Sequence, residues 1–187
     1  MTTEYTIDLA PETLATADGG AKAVLERAQK SLGFVPNMYG GMAVVPAVLD
    51  TYLDGYKRFR EETGFTPAEQ EVVFLAISDF NGCGYCMAAH SMIADRMSKV
   101  QERSLAALRA GEPLPDAKLE ALRQFTVQMV ESRGNPTEEQ VAAFRQAGFE
   151  AQHIPAIILA IAVKTLSNYS NHIFKPDVDE RFADYKL

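Results

Sequence analysis

The strongest constraint on the fold is an apolar run in the middle of the chain with clear helix signals at both ends. The segment Thr66-Pro67-Ala68-Glu69 has the residues of a capping box, and its proline suits the first helical position, where no backbone N–H is needed. Residues 72–77 are all apolar, which predicts a helix buried on every side. Asn81-Gly82 ends this helix, because both residue types favour the left-handed backbone conformation. The rest of the chain must therefore cover a central helix.

Apolar residues recur at helical spacing through most of the remaining chain, and no useful stretch alternates as a β-strand would. The predicted helices cover residues 21–32, 46–62, 66–80, 83–97, 98–110, 116–133, 137–147 and 153–173. Residues 1–20 are expected to be an N-terminal arm, 34–38 an extended link and 175–187 a polar tail. The predicted fold class is all-α, with a single helical domain over residues 21–187.

A short internal sequence similarity predicts that the chain consists of two related halves. Residues 63–65 precede the buried helix, and the similar residues 147–149 precede another apolar helix. The segment 86–90, which ends in a histidine, has its counterpart in 168–172. On this interpretation the second half lacks the cysteines.

Charge and composition exclude several classes of partner. The formal net charge is −7 and no cluster of Lys and Arg is present, so nucleic acid is not an expected ligand. No run reaches the roughly 18 apolar residues of a membrane helix, and residues 1–20 lack the pattern of a secretory signal. A cytoplasmic protein without a membrane partner is expected. In that reducing compartment, two cysteines three apart suit metal binding or catalysis better than a structural disulfide.

Both cysteines of the chain, Cys83 and Cys86, follow the Asn81-Gly82 break and lie in the first turn of the next predicted helix. The free N–H groups and the positive dipole end there lower a thiol pKa, and the thiolate is the reactive form. His90 lies four residues after Cys86, on the same helix face, and can act as its base. The pattern predicts a redox-active dithiol that can close a disulfide.

Glu71 is the predicted fourth member of the site. It lies in the helix that should be buried, where an unpaired carboxylate is costly, so it needs a partner or a raised pKa. A carboxylate that orients His90 would complete a relay from Glu71 through His90 to a thiol. A glutamate in the first helical turn also complements the helix dipole without any functional role.

The cysteine pair has two other interpretations, an unreactive buried pair and half of a zinc site. Structural zinc takes four ligands, whereas Cys83, Cys86 and His90 supply three and the chain has no second CxxC. The redox interpretation is therefore preferred, with no metal and no bound cofactor.

Glu71, Cys83, Cys86 and His90 at this spacing resemble the active-site motif of the carboxymuconolactone decarboxylase superfamily, in its alkyl hydroperoxidase D branch. Residues 33–37 and 168–172 also look like those of the longer, peroxidase-related members, so the resemblance covers most of the chain from about residue 25. It implies an alkyl hydroperoxidase D-like helical bundle that assembles into homo-oligomers, as trimers or hexamers.

The resemblance also implies roles for these residues. Cys86 would be the nucleophile that attacks the peroxide, Cys83 the proton donor and resolving thiol, and Glu71 with His90 the proton relay. The helix dipole alone favours Cys83 as nucleophile, but the spacing of His90 from Cys86 agrees with the resemblance. The implied substrate is an alkyl hydroperoxide, and the implied reductant is an external dithiol such as a lipoyl group or a thioredoxin-like protein.

One residue departs from the family pattern. Tyr85 stands between the cysteines, where alkyl hydroperoxidase D has a histidine. It is expected either to donate a hydrogen bond to a substrate oxygen or to pack. Asn168 and His172 are predicted to line the site.

The predicted function is thus that of a thiol-dependent peroxidase or disulfide reductase. One alternative is decarboxylation of a carboxylactone by acid/base chemistry, which needs no thiol oxidation, although few basic residues flank the motif. The other is a non-enzymatic oligomer that senses redox state or binds a metal.

Overall fold

The computed structural model describes residues 5–187, and this part of the chain contains nine α-helices, one 3-10 helix and no β-strand. The elements are α1 (Gly19–Leu32), α2 (Asn37–Ala43), α3 (Pro46–Glu62), α4 (Pro67–Phe80), α5 (Gly84–Arg96), α6 (Glu102–Ala110), α7 (Ala117–Glu131), α8 (Glu138–Gln146), α9 (His153–Phe174) and the C-terminal 3-10 helix (Glu180–Tyr185). The predicted all-α fold class is confirmed.

Helix α4 is the central element, as its sequence predicts. Its residues from Glu69 to Ser78 are all buried, and it packs against α5, α6, α7 and α9. The capping box is formed in both directions: Thr66 Oγ1 accepts from the backbone N–H of Glu69 over 3.3 Å, and Thr66 N donates to Glu69 Oε2 over 2.8 Å. These bonds satisfy N–H groups that the helix itself leaves without partners.

A tight turn at Asn81-Gly82 joins α4 to α5 and reverses the chain. Gly82 has φ 67°, a left-handed conformation that glycine adopts without the steric cost of a side chain. The backbone N–H of Cys83 donates back to the carbonyl of Ser78 over 2.9 Å, which closes the turn. Helix α5 therefore packs along α4 and starts beside the end of it.

Helix α9 forms the other wall of the region around α5. It is the longest helix, with 22 residues, and it packs against α2, α3, α4 and α5. Its apolar residues account for its burial in the core, yet one face also buries polar side chains. This face lies against the start of α5 and becomes important for the site.

The predicted extended link over 34–38 is wrong in its second half, because α2 begins at Asn37. The sequence does not predict this helix because it contains Gly40 and Gly41, and glycine has a low helix propensity. They are required by packing instead: a Cβ on Gly40 would lie 2.6 Å from the carbonyl oxygen of Glu12, and one on Gly41 would lie 2.6 Å from the Phe174 ring. Tertiary contact, not local preference, makes this segment helical.

The predicted polar tail over 175–187 is also wrong in part. The tail contains the 3-10 helix, which packs on α5 and buries Phe182 against the core. One buried aromatic residue in a polar segment shows no helical period, so the pattern does not reveal it. The helix expected from residue 98 begins at Glu102 instead, because Lys99 has a positive φ of 55° that an α-helix excludes.

The N-terminal arm lies partly outside the described residues, which begin at residue 5. From there it is irregular as predicted, and α1 begins at Gly19, two residues before the expected start. The division into an arm and one domain stays a prediction, as does the relation between two halves. Among the described helices, none is both long enough and apolar enough to span a membrane.

The Gly41→Ala variant tests the close approach of α2 to α9. The new methyl group would meet three atoms of Phe174, the nearest at 2.6 Å and its Cβ at 3.0 Å, so the backbones must move apart. We expect the free energy of unfolding to fall by about 1–3 kcal/mol, measured by urea denaturation. Gly20→Ala in α1 is the control, since its Cβ would make only ordinary 3.5 Å contacts with the side chain of Pro46. Equal stability of the two variants would contradict this packing.

Candidate active site

The two cysteines lie at the start of α5. Cys83 is the N-cap residue and Cys86 lies in the first turn, and each is 2% exposed. Both are free thiols, and the two side chains are hydrogen-bonded to each other. The structure thus brings the predicted pair into direct contact.

Helix α9 supplies polar groups to both sulfur atoms. The side-chain amide of Asn171 donates to Cys86 Sγ over 3.3 Å and lies 3.5 Å from Cys83 Sγ. The hydroxyl oxygen of Ser167 lies 4.0 Å from Cys86 Sγ. Both α9 residues are buried, so these contacts are shielded from water.

The two thiols differ in acidity. The hydrogen bond between them lowers the pKa of Cys86 and raises that of Cys83, because the thiol of Cys83 then donates to the sulfur of Cys86. Burial raises both pKa values, but for Cys86 the positive charge of Lys164 acts against it. The net pKa of Cys86 lies well below its ordinary value of 9.0, and that of Cys83 lies above it.

Glu71 and His90 form a buried hydrogen-bonded pair. The Glu71 side chain is 0% exposed, and its Oε2 lies 2.9 Å from Nδ1 of His90. Its other oxygen, Oε1, lies 2.5 Å from Nη2 of Arg60 on α3. Arg60 is held in place by its hydrogen bonds to Tyr56 and Gln70. The predicted contact of Glu71 with His90 is present, and Arg60 is a partner that the sequence pattern did not indicate.

The charge states of this pair follow from its surroundings. Burial raises the pKa of Glu71, but the attraction of His90 and Arg60 outweighs it, so the net pKa is below the ordinary value. Burial lowers the pKa of His90, and the charge of Lys164 lowers it further. At neutral pH a carboxylate therefore faces a neutral ring, which places the imidazole proton on Nδ1 and leaves Nε2 as an acceptor.

His90, the predicted base of Cys86, makes no recorded hydrogen bond to that thiol within the described residues. Among residues 5–187 its hydrogen bond goes to Glu71, and its ring packs on Phe74 with the centroids 4.8 Å apart. His90 still acts on the Cys86 thiol through its charge when protonated. In this conformation its contact with the dithiol is electrostatic.

Lys164 is a buried cation of the site that the sequence analysis did not single out. It is 0% exposed, and its Nζ has no nitrogen or oxygen partner within the described chain, whereas its hydrogen bond and charge lower the pKa of Cys86. This Nζ lies 5.6 Å from the centroid of the Phe74 ring, the same ring that packs on His90. Its charge reaches Cys83, Cys86 and His90.

The residues predicted to line the site lie in three different settings. Tyr85 is buried, and its hydroxyl donates to the carboxylate of Asp179 near the C-terminal 3-10 helix. Asn168 is buried and accepts a 2.9 Å hydrogen bond from Asn81. His172 is exposed, and its ring stacks on Tyr169. Within residues 5–187, none of these three side chains makes a recorded hydrogen bond to either sulfur.

The site-facing residues of α9 are separated by three and four positions. Lys164, Ser167 and Asn171 therefore share one helix face, and the predicted Asn168 and His172 each lie one position further along. The signal that would have identified the face is a lysine within the largely apolar segment 154–166, followed by polar residues three and seven positions later.

An open groove lies between α1 and α3 and has a volume of about 940 Å³. Tyr39, Tyr56 and Arg60 belong to its wall. Arg60 also contacts Glu71, so this wall separates the groove from the buried relay. No group of three or more His, Cys, Asp or Glu in residues 5–187 is arranged to hold a metal ion.

Fold and site together define an all-helical protein with a buried dithiol and a carboxylate–histidine pair. Residues 46–128 match the model of the carboxymuconolactone decarboxylase family, and this segment contains Glu71, Cys83, Cys86 and His90. The predicted resemblance to the carboxymuconolactone decarboxylase superfamily is confirmed. A search of curated proteins found no match.

Several solved structures share the fold. A peroxidase-related protein with an alkylhydroperoxidase AhpD core, from Ralstonia eutropha JMP134, is 22% identical over 91% of both chains, with a TM-score of 0.77. A peroxidase-related protein from Silicibacter sp. TM1040 is 21% identical over 95% of both chains, with a TM-score of 0.74. A cysteine-to-alanine variant of the debrominase Bmp8, in complex with 2,3,4-tribromopyrrole, is 15% identical over 98% and 97% of the chains, with a TM-score of 0.74. The alkyl hydroperoxidase D-like fold is thereby confirmed.

The Glu71→Gln variant tests the buried carboxylate. Removing its charge leaves Arg60 without its buried counter-ion and weakens the bond to His90, and breaking such a pair costs about 3–5 kcal/mol. We expect a loss of this size in the free energy of unfolding at pH 7, measured by urea denaturation. Glu61→Gln, at an exposed ion pair, should change it by less than about 1 kcal/mol.

The His90→Gln variant tests the lowered pKa of His90. Because the folded state binds this proton less readily than the unfolded state, stability is complete above the unfolded pKa of about 6.5 and falls as the pH drops through the folded pKa. We expect the slope of unfolding free energy against pH, measured from pH 7 downwards, to be shallower in His90→Gln. The matched control is His172→Gln, at an exposed histidine, which should keep the slope of the parent protein. An unchanged slope in His90→Gln would exclude the assigned shift.

Proposed function

We propose that the protein is a thiol-dependent reductase of alkyl hydroperoxides, in which Cys86 and Cys83 cycle between dithiol and disulfide. The observation that supports this most strongly is the asymmetry of the two thiols in one buried contact. Cys86 has the lowered pKa and accepts hydrogen bonds, whereas Cys83 keeps its proton and donates. A nucleophile and a resolving thiol need this difference.

The first step is attack by the Cys86 thiolate on the terminal oxygen of a hydroperoxide. A sulfur–oxygen bond forms, the oxygen–oxygen bond breaks, and the peroxide is reduced by two electrons while Cys86 becomes a sulfenic acid. The departing alkoxide takes up a proton and leaves as the alcohol. Cys83, in contact with Cys86, is the proposed proton donor.

The second step closes the disulfide. Cys83, now without its proton, attacks the sulfur of Cys86, and the sulfenic hydroxyl leaves as water once it is protonated. The oriented pair of Glu71 and His90 is the proposed route for protons in and out of the buried site, because His90 is neutral and can accept and return one. An external dithiol, of the lipoyl or thioredoxin-like class, then reduces the disulfide.

This assignment favours Cys86 over Cys83, although the helix dipole alone favoured Cys83. Both residues lie near the N-terminus of α5, so the dipole acts on both. The difference comes first from the bond between the two thiols, in which Cys83 donates. Asn171 and Lys164 act on both sulfurs, and the amide of Asn171 lies nearer to Cys86. The neighbouring side chains therefore decide between the cysteines.

The same two-electron chemistry can serve another oxidised substrate. The debrominase Bmp8, solved with 2,3,4-tribromopyrrole, shares this fold, so a brominated pyrrole is a useful second substrate to assay. Decarboxylation, which the family name suggests, needs no change in thiol oxidation state. A Cys83→Ser/Cys86→Ser double variant that keeps its activity would identify acid/base chemistry of that kind.

Single cysteine variants test the proposed roles with tert-butyl hydroperoxide and dihydrolipoamide. Cys86→Ser should lose turnover by at least about 100-fold, since hydroxyl oxygen does not replace a thiolate nucleophile at neutral pH. Cys83→Ser should still consume about one equivalent of peroxide and accumulate a sulfenic acid at Cys86, detected by dimedone labelling and mass spectrometry.

The control for these variants is Ser104→Ala, at a buried serine on α6, which should keep full turnover. Dimedone labelling at Cys83 in the Cys86→Ser variant would reverse the two roles. Peroxide turnover that survives Cys86→Ser would overturn the proposed function.

A further inference from the structure

Lys164 is a buried ammonium group without a carboxylate partner in the described part of the chain. Burial of an unpaired charge is expensive, and a lysine in such a place normally has a counter-ion or loses its proton. The nearby carboxylate, Glu71, already contacts both Arg60 and His90. A charged Lys164 therefore needs another anion as its partner.

The positions of its neighbours on α9 indicate which group this is. Lys164 lies on the same helix face as Ser167 and Asn171, at spacings of three and seven residues. Ser167 Oγ and Asn171 Nδ2 lie 4.0 Å and 3.3 Å from the same atom, Cys86 Sγ. The face that carries the ammonium group is thus directed at Cys86.

We propose that Lys164 is the counter-ion of the Cys86 thiolate and acts as a positioning residue for the attacking sulfur. The buried charges then balance in two pairs, Glu71 with Arg60 and Cys86 with Lys164, while His90 stays neutral. This inference deepens the proposed function, since it rests on Cys86 as the ionised thiol. It adds a role for α9, whose ammonium group at Lys164 and side-chain amide at Asn171 together hold one anionic sulfur.

The other ionisable groups around Cys86 do not supply a positive charge equivalent to Lys164. On α5 these are Cys83, which donates its thiol hydrogen, Tyr85, which is neutral because burial raises its pKa, and His90, which is neutral. The remaining groups on α2, α3 and α4 are Tyr39, Tyr52, Tyr56, Arg60 and Glu71. Burial raises the pKa of the three tyrosines, so they are neutral at pH 7, and the charge of Arg60 is matched by Glu71.

The Lys164→Met variant tests the proposal through the pH dependence of Cys86 alkylation by iodoacetamide, resolved from Cys83 by mass spectrometry. Methionine has a similar length and no charge, so the cavity stays filled. The pH of half-maximal reaction should rise by about 1–3 units, the effect of losing a close opposite charge. Lys164→Arg keeps the charge, so its pH of half-maximal alkylation should lie closer to that of the parent protein. Lys30→Met, on the exposed side of α1, should have the same pH of half-maximal alkylation as the parent.

A stability measurement keeps the proposal testable without the thiol reaction. If Lys164 and Cys86 are partners, Cys86→Ser should lower the urea midpoint of the parent protein more than that of the Lys164→Met background. Equal effects in both backgrounds, or an unchanged alkylation profile in Lys164→Met, would overturn the proposal. Neither measurement uses a peroxide, so a failure of the peroxidase function would appear separately, as turnover that survives Cys86→Ser.

Discussion

The geometry of the site depends on how the protein accommodates one carboxylate. Glu71 is fully buried in the central helix, and an unpaired charge there would cost several kcal/mol. Arg60 from α3 and His90 from α5 meet this need from opposite sides of the carboxylate group. The contact with His90 also fixes how α5 is rotated about its axis, and the same helix carries both cysteines. The orientation of the dithiol therefore follows from the partners that the buried Glu71 carboxylate requires.

Two chemically identical thiols become different because their neighbours differ. Cys83 and Cys86 share one helix terminus, so its dipole favours ionisation of both. The contact between them favours one ionised and one protonated thiol, and the groups on α9 act on both sulfurs, with the Asn171 amide nearer to Cys86. This dependence on a helix about 80 residues away in sequence explains why α5 alone gives an ambiguous answer about the nucleophile.

Local signals predicted the elements well and the remote partners poorly. The capping boxes at Thr66 and Thr137 and the break at Asn81-Gly82 depend on a few adjacent residues, and the structure reproduces them. The start of α2 and the packing of Phe182 depend on tertiary contacts, so periodicity did not reveal them. The site divides in the same way: the four residues of the motif share two adjacent helices, whereas Arg60 and the polar face of α9 belong to other parts of the chain.

Packing does not explain why α9 buries polar side chains, because their burial costs folding free energy. Lys164, Ser167 and Asn171 are buried together with Asn168 in a helix whose remaining buried residues are apolar, and apolar replacements of similar size would be neutral or stabilising for folding. An unbroken helix keeps these three groups in register over two turns, about 10 Å. The chain opposite, by contrast, breaks at Asn81-Gly82 so that the thiols lie at a helix start. Because Asn171 donates to Cys86 and the charge of Lys164 acts on the same sulfur, this face stabilises an anionic sulfur better than it stabilises the fold.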